Sequence, residues 1–150
     1  MGFLDSASFD SQWRGYEYFR EKKVLSVNQV SKTEYAGTVS GSGETPYSVR
    51  IDIAHPKRST CDCPFAEGTR RICKHKIALF FTLFPEAADK YLQEVEQAEQ
   101  EAEEYSERMF EKAHATVMQM KKAELQEVLW QVLTESPEWV LERFVRDYVK

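Results

Sequence analysis

The chain has 150 residues, of which 42 % are hydrophobic and 13 % aromatic. That composition builds a packed core and excludes a disordered or fibrous chain, and no apolar run approaches the roughly 20 residues of a membrane-spanning helix. The net charge of −5 hides a split: residues 1–76 hold 12 Lys+Arg against 9 Asp+Glu, and residues 77–150 hold 8 against 16. An acidic average alone would argue against nucleic acid, but the basic half keeps that partner open.

The first ten residues, MGFLDSASFD, show no basic region ahead of an apolar stretch, so no export signal is expected and the expectation is a cytoplasmic protein. Met1 and Gly2 with Ser6 match the spacing of an N-myristoylation pattern, yet no polybasic stretch follows closely. Residues 9–23 predict a short helix capped by Asp10 or Ser11, with Trp13, Tyr16 and Phe19 on one face and Gly15 as an unexplained interruption.

Residues 24–53 predict a small antiparallel β-meander. In YSVRIDI, Tyr47, Val49, Ile51 and Ile53 alternate with Ser48, Arg50 and Asp52, the period of a strand with one buried face. The connection SGSGET predicts a hairpin turn with residues at positive φ.

The stretch CDCPFAEGTRRICKHK, residues 61–76, holds every cysteine of the chain and one of its three histidines. Cys61 and Cys63 lie two apart, and so do Cys73 and His75. On an extended segment that spacing turns both side chains to the same side. Three sulfurs and one imidazole nitrogen suit a tetrahedral Zn²⁺ site. Pro64 stiffens the chain after the first pair, and Gly68 lets the loop turn back. Three cysteines are an odd number for a disulfide framework, and a reducing compartment would not store one. A thiol–imidazole nucleophile formed by Cys73 and His75 is the competing chemistry, but no third orienting group is evident. Four ligands also close a zinc ion to substrate. Paired carboxylates, a phosphate-cradling glycine loop and a Ser–His–Asp set are absent as patterns, so no enzyme is expected. His55 and His114 read as structural or solvated.

From Lys74 onward the pattern is helical. KHKIALFFTLF stops at Pro85. Residues 85–122 then run without glycine or an internal proline, and Leu92, Val95, Ala98, Ala102, Tyr105, Met109, Ala113 and Val117 form a narrow seam near the repeat of a coiled coil. That seam suits packing within the chain, on a second copy or on a partner. AELQEVLWQVL predicts a further helix, and SPEWVLERFVRDYV another, with Ser136 as cap and Pro137 at its first position. The fold class expected is therefore α+β: a meander and zinc-bound knot leading into a helix within residues 1–85, then an all-α acidic region over residues 86–150.

The residues that carry the knot resemble the SWIM zinc finger, whose pattern is C-x-C-x(n)-C-x-H. The preceding strand YSVRIDI, the CP after the second cysteine, CKHKIAL entering a helix and the upstream RGYEYFREKKVLSV share in the resemblance, which spans about residues 12–84. It implies zinc on Cys61, Cys63, Cys73 and His75. It also implies a module that binds DNA or protein, found in or beside Swi/Snf-type helicases, Mutator-like transposases and recombination factors. The acidic helices lie outside it.

Lys57, Arg58, Arg70, Arg71, Lys74 and Lys76 cluster around the four ligands in sequence and are the expected nucleic-acid contacts. No recognition-helix pattern or run of stacking aromatics accompanies them. The functional expectation is a zinc-binding accessory module that contacts DNA through this basic finger beside a DNA-processing partner. The alternative is a protein-interaction module whose zinc is purely structural, with self-association through the C-terminal helices.

Overall fold

The computed structural model describes residues 2–150. Met1, the first residue of the myristoylation pattern and of the expected 1–85 domain, lies outside them. Eleven elements follow in chain order: a 3-10 turn at Leu4–Ser6, α1 (Phe9–Arg20), β1 (Val24–Gln29), β2 (Glu34–Val39), β3 (Tyr47–Asp52), a 3-10 turn at Pro56–Arg58, β4 (Thr60–Cys61), α2 (Lys74–Leu83), α3 (Pro85–Gln119), α4 (Lys122–Glu135) and α5 (Glu138–Tyr148). The four strands form one antiparallel sheet in the order β1-β2-β3-β4. This is the α+β architecture with a helical C-terminal region that the sequence predicts.

The chain divides into two compact units, Met1–Val95 and Glu96–Lys150. Sequence punctuation puts a boundary at Pro85, where α2 does give way to α3. The compact unit reaches ten residues further because Ala88 and Tyr91, on the first turns of α3, are buried in its core.

In the first unit, Val39, Val49 and Ile51 from the sheet meet Ile77, Ala78, Leu79 and Phe81 from α2, all essentially without solvent contact. Tyr16 and Phe19 of α1 and Tyr91 of α3 close an aromatic cluster around Phe81. β3 shows the expected alternation, with Val49 and Ile51 buried between exposed Ser48 and Arg50. Asp52 breaks it and is discussed with the site below.

Gly15 finds its reason here. α1 crosses α2 so closely that a Cβ at this position would collide with the Ile77 side chain and lie 2.9 Å from the Lys74 carbonyl oxygen. The helix gives up about 1 kcal/mol of propensity at a glycine for that approach.

Four local expectations are corrected. Helix α1 is capped by Ser8, whose hydroxyl accepts from the Ser11 N–H at 3.3 Å, while Asp10 and Ser11 sit inside the first turn. The helix ends at Arg20 rather than 23, because Lys22 turns left-handed (φ 54°) and the Lys22 and Lys23 N–H groups close back on Phe19 and Tyr18. The β2–β3 connection turns without a positive-φ residue, since the seven residues from 40 to 46 give it room. Helix α5 has Pro137 at its N-cap and no capping side chain, so Ser136 does not cap it.

In the unit Glu96–Lys150, Leu133 is the one buried residue among those described. The α3 seam is covered at Leu92 and Val95, which pack on the core of the first unit. Tyr105, Met109 and Val117 are exposed, as are Trp130 of α4 and Trp139 of α5. No helix among the described residues is long and apolar enough to cross a membrane.

Candidate metal centre

β4 is only two residues long, but it fixes the first ligand arm. Cys61 pairs with Val49 on β3, and both Cys61 and Cys63 are buried, with Cys63 opening the turn that follows. The chain then tightens: the N–H groups of Ala66 and Glu67 both donate to the Cys63 carbonyl, at 3.0 and 2.9 Å. Gly68, at φ 67°, reverses the loop, a conformation that costs a side chain dearly. Buried Ile72 anchors the return, and Cys73 arrives as the N-cap of α2 with His75 in the first turn.

The four donor atoms lie within 4.8 Å of one another, and all four residues are buried. His75 Nδ1 is 3.8 Å from Cys61 Sγ. A tetrahedral zinc with Zn–S near ~2.3 Å separates its donors by about 3.6–3.8 Å, so the set closes on an ion with little movement. The ring of His75 packs against two tyrosines, with Tyr47 4.7 Å and Tyr18 5.4 Å away centre to centre. His75 Nε2 is buried with no hydrogen-bond partner among the described residues.

The electrostatics suit a metal as well. Cys73 is the thiol most ready to ionise. The hydrogen bond from Cys61 lowers its pKa to about 4, and His75 and the Lys76 backbone N–H add to the effect against the opposing pull of burial. Cys61 is pushed far up by its bond to Cys73 and by burial. Three thiols crowded together cannot all ionise unaided, and Zn²⁺ supplies the charge that lets them.

Residues 47–84 match the family model of the SWIM zinc finger. No curated protein and no solved structure matches the chain. The finger spans β3, β4, the ligand loop and α2, so the family match and the donor cluster coincide, and this Cys₃His set binds zinc. With four protein ligands it is a closed, structural centre.

The cations expected around the finger separate into three groups. Lys57, Arg58, Arg70 and Arg71 are exposed. Lys74 is half-buried, its Nζ 4.4 Å from the centre of the Tyr18 ring. Lys76 corrects the expectation of a phosphate contact: it has no exposed surface, and its ammonium donates to the carbonyls of Ser59 at 2.8 Å and Arg71 at 2.7 Å. Those carbonyls belong to the two arms of the knot, one just before Cys61 and one just before Cys73. Lys76 therefore staples the arms together beside the thiolates, whose charge it offsets.

Sequence reasoning missed Asp52. Burial alone would raise its pKa, but the backbone N–H groups of His55 and Ala54, each donating at 3.0 Å, hold it below the usual aspartate range, with the His55 ring 3.3 Å away. This carboxylate bends the chain out of β3 and sets the 3-10 turn bearing Lys57 and Arg58. An aspartate at a strand end before a proline turn is the signal that pointed to it. His55 is exposed beside it, and His114 is exposed on α3.

Proposed function

We propose that this chain is a zinc-braced binding module that contacts nucleic acid through the finger and works beside a DNA-processing partner of helicase, transposase or recombination type. The observation that supports this reading is a shallow concave surface lined by His55, Lys57, Arg58 and Arg70. The knot brings Arg70 to the turn that Asp52 organises, so three permanent cations share one surface on a braced backbone. Cations so gathered suit the phosphate backbone and specify no sequence. The closed ligand set supports binding over catalysis.

Fluorescence anisotropy of labelled DNA with the zinc-loaded chain tests this. Neutralising three phosphates gives a log–log salt slope of about −2 on single strands and about −2.7 on duplex. The double variant Arg58→Glu/Arg70→Glu should lose at least tenfold in affinity while keeping its zinc; unchanged affinity removes the assignment of this surface.

A second reading has its own support. The apolar side chains left exposed on α4 and α5, Trp130 (66 %) and Trp139 (61 %) among them, suit a protein partner or a second copy of the chain. Under that reading the zinc is purely structural. Sedimentation of the full chain across a concentration series separates the two occupants, since a monomer throughout leaves only a different protein.

A further inference from the structure

The metal knot borders a second concavity that shares no lining residue with the Lys57–Arg58–Arg70 surface. Cys63, Cys73 and His75 contribute to the wall of a cavity of about 250 Å³. The rest of its lining includes Tyr47 and Phe65, the cations Arg14 and Lys74, and the carboxylate of Asp10. A zinc ion held by four buried ligands fills a small part of such a volume. The whole volume, metal site included, falls below the roughly 300 Å³ at which drug-sized ligands begin, which limits an occupant to a group the size of one heterocycle.

Phe65 is the residue that needs an explanation. It lies in the loop between the two ligand pairs, 51 % exposed, and it does not belong to the core. The backbone on either side is fixed, by Cys63 before it and by buried Ala66 after it. The guanidinium of Arg71 lies 5.1 Å from the centre of its ring. An exposed aromatic on a rigid backbone, paired with an arginine and bordering a cavity with two further cations, is the arrangement that stacks an unpaired base while gripping its phosphates. Asp10 argues against a simple anion in the cavity. It sits 3.8 Å from Arg14, and its carboxylate oxygens accept hydrogen bonds, as the N–H edge of a base requires.

We infer that this cavity holds one unpaired nucleobase of a single-stranded nucleic acid, stacked on Phe65, with the adjoining phosphates on Arg14 and Lys74. The inference rests on the nucleic-acid reading above and narrows it, because a base inside a duplex cannot enter. The six-residue span from Phe65 to Arg70 joins the two concavities, so one strand meets stacking at one and phosphate contacts at the other.

The test uses the full zinc-loaded chain and three fluorescein-labelled probes: a mixed-sequence single-stranded deoxyoligonucleotide, its duplex, and an abasic strand of equal length. The single strand should bind at least fivefold more tightly than the abasic strand. Phe65→Ala should weaken single-strand binding by about fivefold to a hundredfold, the range of one lost stack, with zinc content and abasic-strand binding unchanged. Should Phe65→Ala lose its zinc, Phe65→Trp takes its place. It should retain affinity and show quenching of its emission by the strand beyond that of the parent protein.

Equal affinity for the normal and abasic strands, an unaltered affinity in Phe65→Ala, or no added quenching in Phe65→Trp overturns the cavity assignment. If Arg58→Glu/Arg70→Glu still weakens binding in that case, the phosphate reading survives alone. Absence of binding to all three probes removes both.

Discussion

Replacing Lys76 by methionine is the most discriminating change the structure offers. The stem of Lys76 is enclosed and its ammonium makes two short hydrogen bonds to backbone carbonyls. Methionine keeps most of the volume and deletes both bonds. Hydrogen bonds to a charged group contribute about 1.5–3 kcal/mol each, which gives about 3–6 kcal/mol for the pair. The cost of breaking a buried charged contact by removing one partner, about 3–5 kcal/mol, agrees. Against a total stability of about 5–15 kcal/mol for a domain, Lys76→Met should lose a large fraction of it. The two carbonyls anchor opposite arms of the knot, so zinc affinity should fall along with stability. Competition for zinc against a chromophoric chelator, with thermal unfolding followed by circular dichroism, measures both. A Lys76→Met protein with parental zinc affinity and an unchanged Tm would refute the staple. A surface lysine that contacts phosphate would give the opposite pattern, with stability untouched and nucleic-acid affinity reduced.

Two further predictions concern the scaffold. Gly15→Ala should destabilise by about 1–3 kcal/mol despite alanine's better helix propensity, because its Cβ enters space held by Ile77; a raised Tm in thermal denaturation would show that the two helices can part at no cost. Asp52→Asn should cost about 1–3 kcal/mol at neutral pH. Because the folded pKa of Asp52 lies below its unfolded value, that difference is fully present above the ordinary aspartate range and disappears as pH falls through the folded value. Paired urea titrations at a series of pH values check this, and a gap that widens toward acid would reverse the assigned sign.

Some of this was legible in the sequence for plain physical reasons. The doubled two-residue spacing of Cys61–Cys63 and Cys73–His75 states a four-donor set by itself, since few other arrangements need both pairs. The alternation of YSVRIDI declared which face of β3 is inner, and Pro85 marked the break between α2 and α3. Other features depend on contacts between residues far apart in the chain, which no local pattern records. Lys76 sits among basic residues and looks solvated; only the approach of Ser59, 17 positions away, turns it into a buried staple. Gly15 looked like a flaw in a helix until Ile77 arrived opposite it. The capping errors are of another kind. Ser8, Asp10 and Ser11 are all capable caps, and the one chosen depends on where the chain enters the helix. Phe65 gave no signal, because a single aromatic in a loop has no period.

The loop that joins the two ligand pairs is closed at its base by metal and packed at Ala66 and Ile72, while Glu67, Gly68 and Thr69 between them stand in solvent. Its tip can change length at the cost of the turn bonds from the Thr69 N–H and hydroxyl to the Ala66 carbonyl. The entropic cost of a flexible loop grows only logarithmically, about 0.6 kcal/mol for each doubling, whereas zinc binding in small fingers contributes on the order of 10 kcal/mol or more. A peptide inserted after Gly68 would be displayed on a rigid base without disturbing the ligands. The feature that locks the core of this small domain also makes its tip a natural place to graft a new specificity.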